Sequence, residues 1–485
     1  MISVALFMSI CLIVGLSTFL AIMNRGADSD NPAQTGRPSD NPAHTGRPST
    51  PSAPTSYPSL SPTPFGTPLS PPTVHSSLET LSLSYSHVQT IGGSGQNDFA
   101  GFSSSLSSDG TYLVVGFKEA NGLIVPSSGV VRVYQSSSGE QKLWSQLGDD
   151  IFGYAPEDGF GSSVAISING LRIAVGAFNN DDAGQSAGHV RVFDYIDENE
   201  NKSWEQVGRD IRGSNAQDRA GYSVALSGDG QRVAVGAPRG GEEVGSLRVF
   251  QKDRDGDDWF LVGQELFGDT ERAMAGYSCS LSTDGDVVAF GVLRSNRGGL
   301  AKSGHVSVFR LVQIKGSLLW QQFGQEITGE NAGDQNGHSV SLSGDGSLVL
   351  VGANGYDHQG VENVGCCRVF RLDGEKWTQI GMNMRGITYG EQSGFSASLS
   401  KDGSRVACGG PSKRYRRKSG VVRIFGKVGR ESWSQIGETL SSNAGSAFGF
   451  SVSLNSDGSV LSVGAPERRD DKIPNVGSAE LFITQ

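Results

Sequence analysis

An all-β, seven-bladed β-propeller of four-stranded blades is the fold this sequence predicts, and three observations predict it. A segment recurs seven times, its leading glycine standing at Gly101, Gly161, Gly221, Gly276, Gly337, Gly394 and Gly449, 55 to 61 residues apart. A fixed period of that length marks a repeat architecture. All six Trp residues fall at one position of the repeat, four residues before a Gly: Trp144, Trp204, Trp259, Trp320, Trp377 and Trp433. The two ends complement each other. The seventh copy stops at Gln485 without its Trp strand, and an orphan strand-like segment, residues 87–92, precedes the first copy. An N-terminal strand that completes the last blade closes a ring, whereas a solenoid needs no such exchange between its ends.

Each element of the repeat has a local reason. The first strand alternates small or polar with apolar residues, as in Ser339-Val340-Ser341-Leu342-Ser343. Asp-Gly follows in six copies and Asn169-Gly170 in the other, pairs that supply the positive φ of a tight hairpin turn. The second strand is the Val233-Ala234-Val235-Gly236 piece, whose closing glycine recurs at Gly116, Gly176, Gly236, Gly291, Gly352, Gly409 and Gly464. The third runs from a Gly to an aromatic ring: Tyr134, Phe193, Phe250, Phe309, Phe370, Phe425 or Phe482. The fourth carries the Trp.

These residues resemble the FG-GAP repeats of the integrin α-subunit N-terminal propeller, over about residues 81 to 485. The "FG" element reads Phe160-Gly161 in one copy. The "GAP" element is complete at Gly236-Ala237-Pro238 and Gly464-Ala465-Pro466. The resemblance implies a propeller that binds other molecules, usually at a cell surface. One departure concerns metal. Several integrin-type blades hold calcium between strands one and two, in loops spaced Asp-x-Asn-x-Asp-Gly-x-x-Asp. Calcium needs six to eight oxygens, and here the turn is only Ser-x-Asp-Gly. Asp229, Asp284, Asp345, Asp402 and Asp457 are therefore expected to serve their turns, with no metal and no cofactor. The densest acidic run, Asp253 to Asp258, reads as a solvated turn.

The N-terminal part is a different kind of chain. Residues 2–23 are almost wholly apolar and uncharged, long enough to span a bilayer as a helix. No basic residue precedes them, so residues 1–24 read as a transmembrane signal anchor or as a signal peptide. Residues 25–80 form a Pro/Ser/Thr-rich disordered stalk: the stretch 29–75 holds twelve of the 18 Pro, and Ser29 to Pro38 is nearly repeated as Ser39 to Pro48. Residues 81–485 form the propeller. The expected location is the plasma membrane, single-pass with the propeller outside, or else the secreted space. Asn201-Lys202-Ser203 is a glycosylation candidate at Asn201.

A formal charge of −10 argues against nucleic acid as a partner. The basic run Lys413-Arg414-Tyr415-Arg416-Arg417-Lys418 stands out against it, in the loop between strands two and three of the sixth blade. Arg414, Arg416 and Arg417 are the candidate ligand-binding residues, for an extracellular protein or an acidic polysaccharide. The loops joining strands two and three vary most between copies, so recognition is expected on their rim. No catalytic constellation appears. The seven His are scattered, and the acids three residues before the repeat glycine (Asp98, Asp158, Asp218, Asp334 and Glu391) recur blade by blade, which fits a shared loop structure. The five Cys show no metal spacing, and Cys367 and Cys408 in adjacent blades could bridge. The expected function is a cell-surface or secreted binding or adhesion protein. An anchored or secreted propeller enzyme acting on extracellular glycans is the alternative.

Overall fold

The computed structural model describes residues 83–485, apart from 139–142, 199–200, 255, 257, 413–418, 443–444 and 471–472. The apolar segment and the stalk lie outside the described residues. No helix among the described residues is long and apolar enough to cross a membrane.

Seven antiparallel sheets follow one another along the chain. In blade 3 the strands are Ser223–Leu226, Arg232–Ala237, Ser246–Lys252 and Trp259–Leu261, in spatial order. Blade 7 takes its first three strands from Ser451–Leu454, Val460–Gly464 and Ser478–Thr484, and its fourth from Tyr85–Gly92. The N-terminal strand pairs antiparallel with the last strand, from Tyr85 opposite Thr484 to Gly92 opposite Ser478. The expected closure is therefore present. In blades 1 to 4 the outer strand breaks after the Trp segment, and a two-residue piece such as Ile211–Arg212 rejoins the third strand. In blades 5 and 6 it runs unbroken with a bulge, as Lys376–Arg385 and Ser432–Ser441.

The core sits between blades. Strand two is apolar on both faces because a neighbouring blade covers each: Val233, Ala234 and Val235 are fully buried. One cluster joins Val190 and Val192 of blade 2 to Val233, Val235 and Trp259 of blade 3. At the closure, Ile91, Ala479 and Leu481 of blade 7 pack with Leu113, Val115 and Trp144 of blade 1. Each such seam removes aliphatic surface from water, worth about 1.5–3 kcal/mol per side chain fully buried.

Two rings explain the recurring glycines. The repeat glycines all hold φ between 75° and 86°, a left-handed region that a Cβ disfavours. Two residues on, a serine donates to the repeat-glycine carbonyl of the next blade, at 2.8 to 2.9 Å: Ser103 to Gly161, Ser163 to Gly221, and so on round to Ser451 to Gly101. The strand-two glycine lies under that same carbonyl. A Cβ on Gly116 would stand 2.0 Å from Gly161 O. The Trp-x-x-x-Gly spacing has a similar cause. Trp204 lies over Gly148 of the preceding blade and donates its indole N–H to Leu147 O at 2.9 Å. Trp259, Trp320 and Trp377 repeat the bond to Val207, Val262 and Phe323. Gln89, Gln264 and Gln325 each clasp both backbone groups of the next blade's Trp.

Candidate functional site

The two rims of the propeller differ in kind. Parallel bridges such as Gly188 to Ala220 and Gly245 to Ala275 put the loops between strands two and three beside those leading from strand four into the next blade. That is the variable rim. The other rim carries the Ser-x-Asp-Gly turns, and there the backbone forms a collar. Ser108 donates to Ile168 O, Ile168 to Gly228 O, Gly228 to Thr283 O, Thr283 to Gly344 O, Gly344 to Lys401 O, Asp402 to Ser456 O and Ser456 back to Ser108 O.

The turn carboxylates are occupied by their own turns. Asp109 accepts from Ser107 Oγ at 2.6 Å and from the Thr111 amide at 2.9 Å, and Asp229, Asp284, Asp345 and Asp402 repeat the pattern. Burial alone would raise the pKa of Asp109, but these hydrogen bonds outweigh it and hold the carboxyl below its ordinary value. Calcium chelation is expected to leave the melting temperature unchanged, since each turn offers at most one carboxylate, already committed, against the six to eight oxygens required. A rise of several degrees on adding millimolar calcium contradicts this.

The acids before the repeat glycine do what a shared loop requires. Asp98 accepts from the amides of Ser94 and Gly95, Asp218 from Ser214 and Asn215, and Asp334 from Glu330 and Asn331, at 2.7 to 2.9 Å. Glu391 caps Ile387 and Thr388 and pairs with the buried Arg423. These anchors fix the loops of the variable rim, which are built to hold their shape.

At the axial mouth of that rim stands a ring of aromatic side chains, each from the residue after a repeat glycine. Phe102, Phe450, Phe395, His338, Tyr277 and Tyr222 follow one another with centroids 4.5 to 5.1 Å apart. Blade 2 has Ser162 at this place, and Phe178 fills the gap 5.2 Å from Tyr222. Lys118 completes the circuit, its ammonium 4.9 Å from the Phe102 ring and 5.6 Å from that of Phe178. His338 Nδ1 donates to Phe395 O at 2.8 Å, and its Nε2 faces Tyr277 Oη at 3.4 Å. Burial pushes Tyr277 well above its ordinary pKa and raises Tyr222. The ring can stack a flat or apolar group, or attract a cation to its π-faces. Sequence reasoning passed over it, because Phe, Tyr and His read as different residues until the fold aligns them.

The candidate cations Arg414, Arg416 and Arg417 lie outside the described residues. Their loop joins Arg405–Gly410 to Val421–Val428, whose facing ends lie on the variable rim. Asn201 begins the fourth strand of blade 2, Asn201–Gln206, at the hairpin on the opposite rim, and its side chain is outside the described set. Among the acidic run, Asp258 holds Arg209 of the preceding blade and caps Trp259, which makes it a structural acid. Cys367 and Cys408 share one core cluster as free thiols, so the bridge weighed from sequence is not formed. Cys366, on the other face, is buried as well.

Among the described residues one group could offer three metal-ligand atoms, Asp182, His189 and Asp210. Arg212 stands 3.6 Å from both carboxylates and already supplies the countercharge. Burial pulls His189 down to about 4, so it is neutral at pH 7.

With this geometry in place, comparison with known families is specific. A model of the FG-GAP repeat matches residues 153–193, the loop and first three strands of blade 2. The chain carries an FG-GAP repeat there, and its seven-bladed propeller is consistent with an integrin α-like one. No curated protein matches the chain.

Proposed function

We propose that this chain is a recognition module, placed at the cell surface or in the secreted space, whose protein or glycan ligand sits on the variable rim. The observation that carries the reading is the asymmetry of the rims. One is a collar of near-identical turns whose polar groups bond to one another. The other holds an aromatic mouth and loops that differ in every blade, on rigid anchors. A turn common to all blades answers to folding, and variable loops on a fixed scaffold commonly carry recognition. On this reading residues 2–23 serve as a membrane anchor or as a signal peptide, and residues 25–80 as a linker.

The test is a glycan array and a panel of extracellular proteins, screened with the full chain and run beside hydrolase substrates. Saturable binding without turnover is expected. Turnover of a glycan with no stable complex would favour the enzyme reading instead.

A further inference from the structure

We infer that the variable rim holds a receptor for the oxyanion groups, carboxylate or sulfate, of an acidic polysaccharide, built by arginines of blades 3 and 4; this rests on the rim assignment above. A cavity of 480 Å³ opens there, lined by Arg219, Arg239, Arg272 and Arg294 with Tyr222 and Met274. Arg219 stands two residues before Gly221, and Arg272 four before Gly276. Arg239 and Arg294 each stand three residues after a strand-two glycine, Gly236 and Gly291. Backbone bonds hold both in place, from Arg239 N to Asp218 O at 3.3 Å and from Arg294 N to Ala273 O at 2.8 Å.

The other blades are internal controls. At the position of Arg239 and Arg294 they carry Glu119, Asn179, Gly355, Ser412 and Glu467. The repeat therefore does not need a cation there, yet two adjacent blades place one on either side of the same cavity. Gathering like charges costs energy unless something offsets it. The one acid in the lining, Glu243, pairs with Arg272 at 3.2 Å. No carboxylate among the described residues pairs with Arg219, Arg239 or Arg294, and Arg219 Nε is buried without a hydrogen-bond partner. Burial, and then the nearby charge of Arg239, lower the Arg219 pKa, and its guanidinium stands 5.9 Å from the Phe178 ring centroid. The chain as a whole is at −10, so this is a local concentration of charge.

Guanidinium forks suit carboxylate and sulfate, which accept two parallel N–H bonds. Tyr222 and Met274 offer apolar surface against which a sugar ring can lie. Four guanidiniums from four loops, of which Arg272 alone pairs with an acid of the lining, suit a chain with repeated charges better than a single acidic side chain.

The experiment measures affinity of the full chain for dextran sulfate, a polyuronate and polyglutamate over a range of salt concentrations. Three triple variants are compared, with melting temperature and circular dichroism as controls on folding. Arg219→Gln/Arg239→Gln/Arg294→Gln removes the pocket. Lys315→Gln/Lys376→Gln/Arg430→Gln removes the same charge from exposed hairpins on the opposite rim. Arg414→Ser/Arg416→Ser/Arg417→Ser removes the basic run. The pocket variant is expected to bind one of the polysaccharides about a hundredfold more weakly and with a flatter salt dependence, while the opposite-rim variant stays within about threefold of the parent. Arg239→Gln alone, at an exposed position, is expected to lose about tenfold. A pocket variant that binds like the parent, with binding lost in the Arg414 variant, overturns the pocket and keeps the rim. Loss confined to the opposite-rim variant overturns both. Binding to polyglutamate with none to either polysaccharide makes the partner an acidic protein and overturns the inference.

Discussion

Deleting residues 83–92 opens the ring, and the truncated protein melts roughly ten degrees lower or more and aggregates. Among the described residues the strand supplies the only partner of the outer edge of Ser478–Thr484 in blade 7. It buries Tyr85 and Ile91, which contribute about 3 to 6 kcal/mol together. The Tyr85 hydroxyl donates to Gly458 O, and Gln89 clasps the Trp144 backbone across the seam into blade 1. Each such bond adds about 1 kcal/mol net. The sum is a large share of the ~5–15 kcal/mol that folded domains retain. The freed edge of Ser478–Thr484 then offers unpaired backbone groups to other chains. Thermal melting with light scattering checks this, and a truncated chain that melts like the parent, without scattering, contradicts it.

Gly116→Ala is expected to cost more than about 4 kcal/mol, among the largest effects a single methyl can have. Its Cβ would stand 2.0 Å from Gly161 O and 2.5 Å from Ser103 Oγ. The first is backbone of the next blade, and the second is the serine already bonded to that carbonyl. Relief requires moving the two blades apart along a fully buried seam, where tight packing leaves no slack. Gly316→Ala is the control. Its φ is +88°, but nothing lies within 4 Å of the added carbon, so only the left-handed backbone cost of about 1–2 kcal/mol remains. Urea unfolding of both variants tests the contrast. Equal losses in the two would show that the seam can relax.

Much of this fold could be read from the chain because its strongest signals are local and repeated sevenfold. Asn169-Gly170 and the Asp-Gly pairs announce hairpins by their own backbone preferences. The orphan strand before Gly101 announces closure by counting. What stayed hidden is contact between blades. Ser103 gave no sign that it binds Gly161, nor Gln89 that it clasps Trp144, because both partners lie more than fifty residues away. The site was less legible than the fold. The run at 413–418 drew attention because its cations are adjacent in sequence. Arg219, Arg239, Arg272 and Arg294 come from separate loops of two blades, and only the ring geometry gathers them. The aromatic mouth was hidden by identity: Phe102, Tyr277 and His338 share a position, but only stacking shows that they share a role.

The most direct test of recognition at the variable rim is amide hydrogen exchange on the full chain, free and bound to dextran sulfate. Slowed exchange is predicted in the loops 215–221, 239–245, 272–276 and 294–304, with the Ser-x-Asp-Gly turns and the hairpins between strands three and four unchanged. Protection confined to those turns and hairpins, with the four loops exchanging as in the free protein, would contradict the account.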